Sequence, residues 1–130
     1  MAESILRSFD KTLEIYSAGI EPVGHISPVA IEVLAEIGIE LNPSEPQHYS
    51  KFENLEFEYL ITVGDDTVGR LNVPSLKYKH KMHLRFHNPY KSFKDRAELK
   101  GKCREIRDEI FAELDYFYHK ILNKEKHFIN

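Results

Sequence analysis

The chain has 130 residues, 42% hydrophobic and 30% charged, with 18 Lys and Arg against 21 Asp and Glu and a formal net charge of −3. That balance excludes intrinsic disorder, a collagen-like repeat and a long coiled coil, and the length fits one domain. Cys103 stands alone, which excludes a disulfide scaffold and a CxxC redox or zinc motif.

The elements follow in chain order. Ile5, Leu6 and Phe9 mark one apolar side of a two-turn helix between Ala2 and Asp10. Leu13, Ile15 and Ala18 follow, and Thr12 to Ser17 read as a short strand ended by Gly19. Ser27 and Pro28 form a helix start, and Val29, Val33 and Ile37 recur at helical spacing with Ala30 and Leu34 beside them. Gly38 sits where a left-handed C-terminal residue is expected, so this helix spans about 28 to 37.

The two prolines in 42–50 predict a loop, and Ser50 to Asn54 can form one helical turn. Phe57 to Val63 is a strand with apolar residues on both faces, the pattern of an interior strand in a parallel sheet. Residues 64–79 lack a period and read as a long loop. Lys81 to Phe86 is the next strand, with Met82 and Leu84 on one face and His83 and Arg85 on the other. Leu99, Cys103, Ile106, Ile110, Leu114, Phe117 and Ile121 then form the seam of a long helix from Asp95 to Leu122, and 123–130 is expected to fray. Helix and strand alternate, which argues for an α/β domain with a parallel sheet over 1–130.

Charge divides along the chain. Residues 1–76 hold 4 basic and 13 acidic groups, whereas 77–107 hold 11 basic and 3 acidic. Lys77, Lys79, Lys81, Arg85, Lys91, Lys94 and Arg96 form a candidate surface for an anion or an acidic protein. Solvated faces on a strand and a helix account for the same residues. Aromatic residues interleave with this run, yet no nucleic-acid motif accompanies it. His80, His83 and His87 are close in sequence, but on an extended strand His83 and His87 lie more than about 13 Å apart, too far to share a metal. Asp65 and Asp66 read as turn residues. No cofactor and no metal is expected. The N-terminus lacks a secretory signal's order and no apolar run approaches the roughly 20 residues of a membrane span, so a cytoplasmic location without membrane contact is expected.

Several strings carry a resemblance: Tyr16-Ser17-Ala18-Gly19 with Glu21-Pro22, His25 to Leu34, Phe57 to Val63, and Phe86-His87-Asn88-Pro89. In this order they resemble the thioredoxin-coupled arsenate reductases, which share the low-molecular-weight protein tyrosine phosphatase fold. The resemblance implies a three-layer α/β fold around a parallel sheet. It also implies that the first, central strand and the Cys-x5-Arg phosphate loop are missing, since the family's Met-Ala-Glu helix string is Met1-Ala2-Glu3 here. Such a loop holds an oxyanion on backbone N–H groups and lowers the pKa of an attacking thiol. The family's two relay cysteines fall at Gly64 and Leu71, and its general-acid Asp falls at Asn88. His25 matches a position near the family's loop and is expected to pack or cap here.

The expected function is therefore a non-catalytic arsenate reductase-like protein, a binding or scaffold module. The alternative is an N-terminally truncated arsenate reductase or phosphomonoester or protein tyrosine phosphatase whose nucleophile loop lies upstream. A third reading is different chemistry at a new site. Loss of the central strand further predicts a homodimer that fills the gap, or a marginally stable chain.

Overall fold

The computed structural model describes residues 1–17, 28–41, 48–64, 76–85 and 93–122. They form α1 (Ala2–Phe9), α2 (Pro28–Ala35), a 3-10 turn (Tyr49–Phe52), β1 (Glu56–Gly64), β2 (Lys77–Arg85) and α3 (Arg96–Tyr116), which continues as a π-helical segment (Phe117–Leu122). Two units result: α1, α2 and α3 belong to one, and β1 with β2 to the other. None of the described helices is long and apolar enough to cross a membrane.

The helical unit is organised by the seam of α3. The helix starts at Asp95, whose carboxylate accepts the Glu98 N–H at 2.8 Å, while the Glu98 carboxylate takes the Lys94 N–H at 3.3 Å. The first contact satisfies an N–H group that the first helical turn leaves open, and the second ties the residue before the cap back to that turn. Leu99, Cys103, Ile110, Leu114 and Phe117 are buried along one stripe, as their spacing predicts. At the N-terminal end of α3, Leu99 and Cys103 pack with Val29 and Val33 of α2, and Met1 lies against the same cluster. Farther along, Phe9 of α1 meets Phe111 edge-on with ring centres 5.2 Å apart and stacks on Tyr118 at 5.9 Å. The Tyr118 hydroxyl donates to the Asp10 carboxylate at 2.8 Å, which raises its pKa.

Helix α2 ends as its sequence predicts. Gly38 has a φ of +77°, Ile39 N–H donates to the Leu34 carbonyl at 3.0 Å, and Gly38 N–H donates to that of Ala35 at 3.0 Å. This is the left-handed stop that glycine adopts without a Cβ clash.

Charges hold α2 and α3 together at the rim. Glu32 takes Arg96 and Lys100, and Glu36 takes Arg104 and Arg107. Arg107 is buried on the seam side, where the sequence offered only its apolar neighbours. Its guanidinium donates to the Val33 carbonyl at 2.8 Å and to the Glu36 carboxylate at 2.8 Å, serving a carbonyl near the end of α2. The hydrogen bond from Arg104 is the main reason that the Glu36 carboxyl is held down to about 2.

Two sequence expectations need correction. Thr12 to Ser17 is not a strand: the Asp10 carboxylate binds the Thr12 N–H at 2.9 Å and its hydroxyl at 2.6 Å, and Arg7 donates to the Ile15 carbonyl at 2.8 Å. Local side-chain bonds thus take backbone groups that a sheet would need. The described sheet therefore has two strands rather than three. The second strand also begins at Lys77, inside the stretch read as loop, because it pairs along the whole of β1 from Glu56↔Lys77 to Gly64↔Arg85 in parallel register. Ser27, Phe86 and the expected fraying tail lie outside the described residues.

The Glu36 contacts make stability depend on acid. Its folded pKa is depressed, so its contribution is full above the ordinary value of 4.5 and is lost as pH falls toward about 2. Urea melts at a series of pH values should show wild type more stable than Glu36→Gln near neutrality, with the gap closing between pH 4.5 and about 2.

Candidate functional site

The basic residues of β2 and the end of β1 carry the sequence-derived site. Alternation along β2 places Lys77, Lys79, Lys81, His83 and Arg85 on one face, and all but His83 are exposed. The same face of β1 brings Glu56, Leu60, Thr62 and Gly64 opposite Lys77, Lys81, His83 and Arg85. Glu58 reaches Lys79, with Nζ 3.5 Å from Oε2. Both groups are well exposed, so this pair adds little stability, but it offsets charge at the N-terminal half of the strand. Toward the C-terminal ends the residues facing Lys81 and Arg85 are neutral. In open parallel sheets, ligands bind beyond these ends.

His83 sits between those cations. Its Nδ1 shares a hydrogen bond of 2.8 Å with the Thr62 hydroxyl, whereas its Nε2 is buried with no hydrogen-bond partner among the described residues. On the opposite face, Tyr59 stacks on His80 with ring centres 5.1 Å apart. His80 and His83 thus point to opposite faces, and no group of His, Cys, Asp and Glu able to hold a metal occurs among the described residues.

The remaining basic positions divide. Lys94 and Arg96 belong to the helical unit, where Lys94 N–H is held by Glu98 and the Arg96 guanidinium by Glu32. Arg96 is thereby engaged in joining α3 to α2. A signal for this lay in the sequence: Glu32 and Glu36 are four apart, as are Arg96, Lys100 and Arg104, so each set lines one helix face. Lys91, Leu71, Asn88, His25 and His87 lie outside the described residues.

Gly64 closes β1 with a φ of +149°, a backbone conformation that residues with a Cβ rarely adopt. Cys103 has no exposed surface and is not in a disulfide. It lies mid-helix among Val29, Val33 and Leu99, without free backbone N–H groups to stabilise a thiolate. The thiol of Cys103 is thus closed to solvent.

Residues 1–127 match the family described as low molecular weight phosphotyrosine protein phosphatase. Among solved structures, the chain is similar to the crystal structure of an arsenate reductase from Archaeoglobus fulgidus DSM 4304, with a TM-score of 0.56 and 19% identity over 88% of this chain and 87% of that one. At that identity the likeness is one of fold. No curated protein matches the chain.

Two substitutions test this geometry. Gly64→Cys forces a side chain into the positive-φ region and should lower stability by about 1–3 kcal/mol in denaturant melts. His83→Phe removes the hydrogen bond to the half-buried Thr62 hydroxyl and should lower stability by about 1 kcal/mol, read as a lower melting temperature.

Proposed function

Because the chain belongs to the low molecular weight phosphotyrosine protein phosphatase family, we propose that it is a non-catalytic member acting as a binding module. Its binding surface is the basic face of β2, and its partner is an acidic protein segment. The observation that carries this reading is the state of Cys103. A phosphatase or arsenate reductase of this family attacks through a thiolate, and here the sole thiol is sealed in the contact between α2 and α3. Gly64 supports it, since the position of the first relay cysteine is held in a glycine conformation. The acidic partner is argued from Lys77, Lys79, Lys81 and Arg85, all exposed on one face of one strand.

A second reading is an enzyme whose Cys-x5-Arg loop lies upstream of residue 1, reducing arsenate or hydrolysing a phosphomonoester or phosphotyrosine. The family match over residues 1–127 favours it.

Two measurements separate these readings. The chain should hydrolyse no p-nitrophenyl phosphate and reduce no arsenate with thioredoxin present, and it should bind a fluorescent poly-glutamate peptide with an affinity that falls as salt rises. Lys77→Glu/Lys81→Glu should weaken that binding by roughly tenfold or more. Turnover by the chain, or binding indifferent to both substitutions, would overturn the first reading. In-frame codons upstream encoding an apolar strand and Cys-x5-Arg, together with activity of the extended chain, would establish the second; a stop codon there ends it.

A further inference from the structure

We draw no further inference here: the strongest candidate, the column of Glu105, Glu109 and Glu113 that runs with Tyr116 along the exposed face of α3, is an acidic cluster, and nothing in the structure shows what covers it.

Discussion

The contact between α2 and α3 is the constraint on which the chemistry of this chain depends. Val29 and Val33 meet Leu99 and Cys103, so a thiol serves as a small apolar side chain in a sealed interface. The surrounding ion pairs do not create that interface. Glu32 and Glu36 are partly solvated, and their value lies in fixing which turn of α2 faces which turn of α3. Arg107 does more, because its buried guanidinium binds the Val33 carbonyl that helix geometry leaves open at the end of α2. Freeing Cys103 for attack would require opening this contact. The arrangement that stabilises the unit is thus the one that withholds the thiol.

The strand pair is organised by a different logic. Its lysines stand on one strand and its apolar run on the other, in a register that puts carboxylates against only part of the basic column. Charge on β2 discourages further pairing along that strand. The run from Tyr59 to Gly64 on β1 carries no charge, so the two strands of one short sheet are chemically unlike.

The legible parts of the fold were those governed by regular spacing. The seam from Leu99 to Phe117, the Gly38 stop and the Phe57–Val63 strand each follow from a period or from a residue with a steric requirement. The errors came where a local bond competes with a weak pattern. Thr12 to Ser17 alternates as a strand would, but the Asp10 side chain captures Thr12 and Arg7 captures Ile15. Lys77 to Lys79 has no apolar signal of its own, and becomes strand because β1 supplies a parallel template. Of the candidate site, the basic character of β2 was readable. The separation of Arg96 from it was signalled only by the four-residue spacing it shares with Lys100 and Arg104, since the pairing itself is with Glu32, 64 residues away in the chain. The His83 nitrogen without a partner among the described residues had no sequence signal, because it follows from cross-strand register with Thr62.

Membership of a phosphatase family and an inaccessible thiol are compatible once fold and site are treated separately. The family's fold is carried by helix seams and parallel strands, and these survive here in α2, α3, β1 and β2. The family's chemistry depends on a few positions whose backbone must first permit the required side chain. Gly64 has a positive φ, so placing a cysteine there would strain the end of β1 as well as change its chemistry. Cys103 is held to a packing role, because no rotation within an intact α2–α3 contact brings a side chain with no exposed surface to solvent. A change that exposed its thiol would have to break the contact that stabilises the helical unit, so thiol chemistry and packing at this position exclude each other.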